Sequence, residues 1–387
     1  MSIRLSAREI LAKLVSFPSV SRDSNLDLVD WVENYLADFG IASVRVPNPE
    51  GNKAAIYAQV GPAVEGGVIL SGHSDVVPVD GQAWSSDPWT VTERDGRLYG
   101  RGTCDMKGFV ALALAAVPMA LDAGVKRPLQ LAISYDEELG LTGCVDMIAA
   151  MAANLPRAAA VIVGEPSLMK VVSGHKGGVN FDVQIKGFEV HSSIQHTGVS
   201  AIHEAGRVLA WLNAQNAALM AARPAPMAAR FDPPFTTIHS GMIHGGTAAN
   251  ITAADCRMDL GFRVVPGEDA EVWARAFETE AVRIDADMKR IRPEAGITLR
   301  RRFTAPPLVP EDNGTAEALA RRLTGDNGAH VVSYGTEAGH FQAHGYSAVV
   351  CGPGSIAQAH QPDEYLEVAE FEAGLAFMRQ LIKELAA

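Results

Sequence analysis

Cysteine is scarce: four in 387 residues, at positions 104, 144, 256 and 351, with no CxxC pair. That argues against a disulfide framework and for a reducing compartment, so a cytoplasmic location is expected. Long apolar runs are missing too. The most apolar helix candidate, 109–123, is too short to span a bilayer and sits close to Asp105 and Lys107, so no membrane association is expected. The opening stretch Met1-Ser2-Ile3-Arg4-Leu5-Ser6 lacks the apolar core of a secretion signal. No dense Lys/Arg tract occurs, and the formal net charge of −12 argues against a nucleic-acid partner. There is no GxSxG elbow and no HExxH helix. The glycine pairs Gly100-Arg101-Gly102 and Gly352-Pro353-Gly354 lack the strand, loop and helix setting of a dinucleotide site.

What is present describes a globular chain, 48% hydrophobic and 20% charged, long enough for two domains. Ser6-Ala7-Arg8-Glu9 has the pattern of a capping box ahead of a first helix, which Pro18 stops, and a second helix is expected near 26–39. Strands are expected at 41–46, 54–60, 68–70, 129–134 and 159–163, with a hairpin at 92–99 around Asp95-Gly96 and helices at 109–123 and 145–153. This alternation implies an α/β sheet, largely parallel in its centre. From about Gly178 the pattern changes to strand 179–185, helix 199–222, strands 236–243 and 256–264, helix 269–288 and strand 297–303. The order βαββαβ is that of a ferredoxin-like domain. A helix at 315–323 and a strand at 348–351 then resume the first pattern. The expected fold class is therefore an α/β domain with a mostly parallel central sheet (1–177 and 306–387) carrying an inserted ferredoxin-like domain (178–305).

The chemistry gathers around Tyr135-Asp136-Glu137-Glu138, where adjacent acids close an apolar run. Adjacent carboxylates repel, so a buried pair needs two different jobs or a nearby cation. His73, Glu137, Glu138, Glu165 and His360 all follow expected strands, and ligand sites in open α/β sheets lie outside the carboxyl ends of the strands. Taken singly, each has an ordinary reading: a capped or core histidine, Asp105 as a helix N-cap, Glu165 as a turn acid, Glu137-Glu138 as a solvated pair. None of these explains why all converge on one sheet edge. Asp105 could bridge two ions, with Glu165 and Glu138 each completing one alongside His73 and His360, and Glu137 left free as general base. Asp75, two residues past His73, has the period-two spacing that would let its carboxylate orient the imidazole.

These segments resemble a known family: Ser71-Gly72-His73-Ser74-Asp75, Gly102-Thr103-Cys104-Asp105-Met106-Lys107-Gly108, Asp136-Glu137-Glu138, Gly164-Glu165-Pro166, Gly174-His175-Lys176-Gly177 and Val190-His191-Ser192-Ser193. It is the metal-dependent group that contains acetylornithine deacetylases, succinyl-diaminopimelate desuccinylases, aminoacylases and certain carboxypeptidases. The C-terminal segments Ser333-Tyr334-Gly335-Thr336-Glu337-Ala338 and 352–364 are most similar to the acetylornithine deacetylase branch. The resemblance implies that the first domain is catalytic and the inserted one a lid. It implies two zinc ions, one held by His73, Asp105 and Glu165, the other by Asp105, Glu138 and His360. Cobalt or manganese would suit the same donors. It further implies Asp75 as support for His73, Glu137 as general base, and a homodimer formed through the lid, with His191 reaching the neighbouring subunit's site to stabilise an oxyanion. Asn250, Arg263, Gly354 and Ser355 would contact the substrate carboxylate. Many relatives carry an acid two residues before the equivalent of Arg263, where this chain has Gly261.

The expected substrate is a small N-acyl amino acid, N2-acetyl-L-ornithine first, giving L-ornithine and acetate as in arginine biosynthesis. A succinylated amino acid, another N-acyl amino acid or a dipeptide would use the same site. Glu337 would pair with the ornithine ammonium, or else hydrogen-bond within the protein.

Overall fold

A computed structural model describes residues 4–387; Met1–Ile3, part of the opening stretch in which no secretion signal is expected, lie outside the described residues. The chain divides into two compact units, 1–174 with 308–330 and 336–387, and 175–307 with 331–335.

The first unit opens with α1 (Ala7–Val15) and α2 (Leu26–Asp38). The capping box forms: Ser6 Oγ accepts the Glu9 N–H at 3.3 Å, and the Glu9 carboxylate accepts the Ser6 N–H at 2.7 Å. Next come β1 (Ser43–Pro47), β2 (Ala54–Val60), β3 (Val68–His73), the hairpin β4 (Thr92–Arg94) and β5 (Arg97–Tyr99), then α3 (Lys107–Ala123). β6 (Leu129–Ser134), α4 (Thr142–Asn154), β7 (Ala160–Pro166) and β8 (Val172–His175) follow. α3 is apolar on every face and accordingly almost wholly buried, packed against α1 and the sheet.

In the second unit the elements are β9 (Gly177–Lys186), α5 (Ala201–Ala221), β10 (Thr237–His239), β11 (Ile243–Gly245), β12 (Asp255–Val264), α6 (Ala270–Ile291) and β13 (Gly296–Ala305). They form an antiparallel sheet in the order β10-β12-β9-β13, with β11 paired to β12. Burial alternates along β12 because one sheet face meets the helices. The single strand expected at 236–243 is broken. The amides of Gly241 and Met242 turn away to donate to Asp259 Oδ1, at 2.9 and 2.7 Å, which ends one strand before the next begins.

The return to the first unit brings α7 (Thr315–Thr324), β14 (His330–Val332), α8 (Ala338–Ala343), β15 (Ala348–Gly352), β16 (Tyr365–Glu367) and α9 (Val368–Ala386). The large sheet runs β1-β2-β6-β3-β7-β15-β8-β14. Its centre, β6-β3-β7-β15, is parallel, while β1, β2 and β8 pair antiparallel at the flanks. β8, β14, β16, α8 and α9 were not anticipated. α9 had a readable signal, since Phe371, Gly374, Met378, Leu381 and Leu385 repeat at helical spacing and are buried. Among the described residues no helix is long and apolar enough to cross a membrane.

Candidate metal centre

Because the four central strands are parallel, their carboxyl ends share one edge of the sheet. His73 is the last residue of β3, Glu165 the penultimate residue of β7, and Glu137-Glu138 lie in the turn after β6. Asp105 precedes α3 and His360 follows β15. Asp105 is not the helix cap: that position belongs to Met106, which makes no side-chain cap bond, and the Asp105 carboxylate faces two histidines instead. Glu165 follows Gly164, where the Phe109 ring lies 1.9 Å from the place a Cβ would occupy. Only glycine lets the strand pass so close to α3 and bring the next side chain to the edge.

The donor atoms converge. Nε2 of His73 lies 3.1 Å from Asp105 Oδ1 and 3.8 Å from Glu165 Oε1. Nε2 of His360 lies 3.3 Å from Asp105 Oδ2 and 3.1 Å from Glu138. One donor atom each from His73, Asp105 and Glu138 falls within 4.8 Å of the others, as does one each from His73, Glu137 and Glu165. A carboxylate at the position of Glu137 can either ligate an ion or exchange a proton with a group held beside it.

The electrostatics favour a cation. Burial, then the neighbouring charge of Glu165, pushes the Glu137 carboxyl well above its usual range, although the residue keeps some surface open to solvent. Burial and then Asp105 do the same to Glu165, and burial raises Glu138 against the pull of its bond to His360. His360, held by Asp105 and Glu138, is pushed up to about 10. Among the described residues no lysine or arginine pairs with Asp105, Glu137, Glu138 or Glu165. Glu165 Oε1 is buried with no hydrogen-bond partner. A buried carboxylate oxygen left unpaired is costly unless something positive meets it. An oxygen and imidazole donor set with such an atom fits divalent ions of the zinc, cobalt or manganese type.

The supporting contacts correct one expectation. β3 ends at His73, so Asp75 lies beyond the strand and period-two geometry does not govern it. The Nδ1 of His73 makes its short contact, 2.8 Å, with the backbone carbonyl of Asp75, and the carboxylate is farther away at 3.5 Å. Donation from Nδ1 leaves Nε2 as the free lone pair on the Asp105 side. The Asp75 carboxylate mainly holds the acidic turn: it accepts the N–H of Glu137 at 3.2 Å, the N–H of Glu138 at 3.4 Å and the Ser21 hydroxyl at 2.7 Å. Asp136, at φ 53°, is pinned by Lys53 Nζ at 2.6 Å. Neither Ser21 nor Lys53 was singled out from sequence, and no local motif marks them.

The remaining candidates belong to both units. Glu337 is 1% exposed, and its two oxygens accept the hydroxyls of Ser71, at 2.9 Å, and Ser134. These bonds match the reading in which Glu337 hydrogen-bonds within the protein, while each oxygen keeps a further lone pair. Gly354, at φ 88°, and Ser355 sit in the loop after β15, with Ser355 Oγ accepting the Ala357 N–H at 3.3 Å. His191, Asn250 and Arg263 belong to the second unit. Nδ1 of His191 meets Ser193 Oγ at 2.8 Å, and the next residue's N–H donates to Asn250 O at 2.8 Å, so these two segments lie together. Arg263 is exposed on β12. At Gly261 an added Cβ would meet Asn180 Oδ1 at 2.7 Å, so the space of the missing acid is already filled.

Fold and site together define an α/β metallohydrolase. The model of peptidase family M20/M25/M40 matches residues 69–384. An acetylornithine deacetylase of Myxococcus xanthus is 36% identical over 94% of this chain and 93% of its own length. One of Proteus mirabilis is 33% identical over 97% and 95%. Among solved structures, an M20 family metallo-carboxypeptidase of Sulfolobus solfataricus superposes with a TM-score of 0.79 at 17% identity, covering 99% of both chains. A tripeptidase of Staphylococcus aureus gives 0.75 at 18%, covering 98% of both. The chain belongs to peptidase family M20/M25/M40 and is a metal-dependent hydrolase.

Proposed function

We propose that the chain is a dinuclear zinc amidohydrolase that removes the acyl group from an N-acyl amino acid, N2-acetyl-L-ornithine before others. The observation that carries the two-ion reading is the Asp105 carboxylate, whose separate oxygens face His73 and His360. His73, Asp105 and Glu165 would hold one ion, and Asp105, Glu138 and His360 the other, with cobalt or manganese as substitutes. Bound divalent ions supply Lewis acidity, polarising an acyl carbonyl and making a nearby water more acidic. Glu137 takes the proton from the attacking water and returns it to the leaving amine nitrogen. Asp75, through the amides of Glu137 and Glu138, keeps that carboxylate in place. In this reading the chain acts as a homodimer through the lid. His191 of one subunit stabilises the oxyanion in the other, and Asn250, Arg263, Gly354 and Ser355 meet the substrate carboxylate.

The acetylornithine assignment draws its support from relatives 30–36% identical over more than nine-tenths of the chain. One observation favours a second reading, a different N-acyl amino acid or a dipeptide: Glu337, the acid expected to meet an ornithine ammonium, is buried and already accepts two serine hydroxyls. Comparing kcat/KM for N-acetylornithine, N-succinyl-diaminopimelate and a short panel of dipeptides separates the two. A preference for anything but acetylornithine overturns the first.

A further inference from the structure

Below the metal centre lies a buried ion pair that the proposed reaction does not use. Arg101 and Glu364 are each 1% exposed, and Arg101 Nη1 donates to Glu364 Oε2 at 2.6 Å. The same carboxylate collects the amides of the loop that carries Asp105. Oε1 accepts the N–H of Cys104 at 2.9 Å and of Asp105 itself at 3.0 Å, and Oε2 accepts the N–H of Gly102 at 3.1 Å. Arg101 extends the network toward the other histidine. Its Nη2 donates to Gln82 Oε1 at 2.6 Å, and Gln82 Nε2 donates to the backbone carbonyl of His360 at 2.9 Å. Glu364 stands four residues after His360, in a loop further tied down where Asp363 Oδ1 accepts the Ser85 N–H at 2.8 Å.

An ion pair taken out of water gains little net stability, because desolvation offsets the attraction. This pair instead spends its donors and acceptors on fixing backbone. We infer that Glu364, with Arg101 and Gln82, forms a positioning network that holds Asp105 and His360 in register and so sets the affinity for divalent ions. The inference rests on the two-ion reading above and deepens it. Glu364 touches neither a proposed ligand carboxylate nor a histidine ring, so it is a positioning residue. Replacing it by Gln keeps the size but puts an NH2 where one oxygen accepted, and that group faces the donors of Gly102 and Arg101 or of Cys104 and Asp105. Gln82 is partly exposed, so Gln82→Ala cuts the tie to His360 without leaving a buried charge unpaired.

The test titrates metal-free wild type, Glu364→Gln and Gln82→Ala with Zn2+ against a chromophoric chelator. It also records the Co2+ absorption spectrum of each and the melting temperature without metal. The expected result is two ions in the wild type, affinity about 10- to 100-fold weaker in Glu364→Gln, and one ion about 10-fold weaker in Gln82→Ala, with changed Co2+ bands. A merely structural role would lower the metal-free melting temperature and leave the spectrum alone. Both variants binding two ions with wild-type affinity and spectrum would overturn the inference. If Glu364→Gln does not fold, Gln82→Ala decides alone by the same criterion. If the wild type takes up no divalent ion, the two-ion reading itself fails and this one with it. If the wild type takes up two and the variants match it, only the positioning role falls.

Discussion

Oδ2 of Asp105 lies 3.3 Å from Nε2 of His360, while the other oxygen of that carboxylate points at His73. The two histidines come from opposite ends of the chain, and this one side chain joins them. A carboxylate between two imidazoles, with Glu138 and Glu165 on either side, is an arrangement that two shared ions would make stable. Asp105 is therefore the residue whose removal should be felt at both ion positions.

Replacing Asp105 with Ala should reduce bound metal from two ions per chain to fewer than one. His360→Ala should lose one ion and retain the other. Elemental analysis of protein dialysed against a trace of zinc measures both. Asp105→Ala retaining two ions would remove the bridging role.

Glu137→Gln should lower kcat by about 10² to 10⁴ with the metal content unchanged, because a positioned proton acceptor contributes that much and an amide cannot take the proton. Turnover and metal content are measured on the same sample. Normal turnover would move the base elsewhere, and lost metal would make Glu137 a ligand.

Gly164→Ala is expected to be among the more damaging single-methyl changes in the first unit. The new Cβ would sit 1.9 Å from Phe109, on a helix that is buried on every side. Overpacking of this kind costs about 1–3 kcal/mol or more. Chemical denaturation should show the loss, and Gly164→Ala combined with Phe109→Ala should lose less than the sum of the two single changes.

Stability should fall as pH drops from about 6.5 toward about 4, in part because of His340 on α8. The ring is 8% exposed with Nε2 unpartnered, and burial, then His344, lowers its pKa to about 4. An unfolded histidine titrates near 6.5, so within this window the unfolded chain binds the extra proton and is favoured. The contribution reaches about 3 kcal/mol at the acid end. In His340→Gln the unfolding free energy should depend less on pH across that window. Parallel curves for the two proteins would show that His340 does not contribute.

The grouping of the candidate donors was largely legible in the sequence. All but Asp105 end or follow central strands, and parallel strands deliver their carboxyl ends to one edge whatever the side chains. The supports were not legible. Lys53, Ser21 and Glu364 meet their partners across long stretches of sequence, and nothing in a local pattern distinguishes them from ordinary surface polar residues. Glu337 shows the same limit: its motif left a substrate contact and an internal hydrogen bond both open, and only the structure shows the two serines on neighbouring strands that bond to it.

By itself, then, the sequence carried most of the strands and helices before residue 305, the ferredoxin-like pattern of the second unit and a set of candidate donors for an ion site. Periodicity, caps and turns are local, so they can be read along the chain. Only the tertiary structure decided which atom of each donor faces which. It put the backbone of Asp75 rather than its carboxylate closest to His73, and set one buried carboxylate, Glu364, under the loop of Asp105. Those outcomes depend on hydrogen bonds of about 3 Å between distant segments, a distance that packing alone brings about.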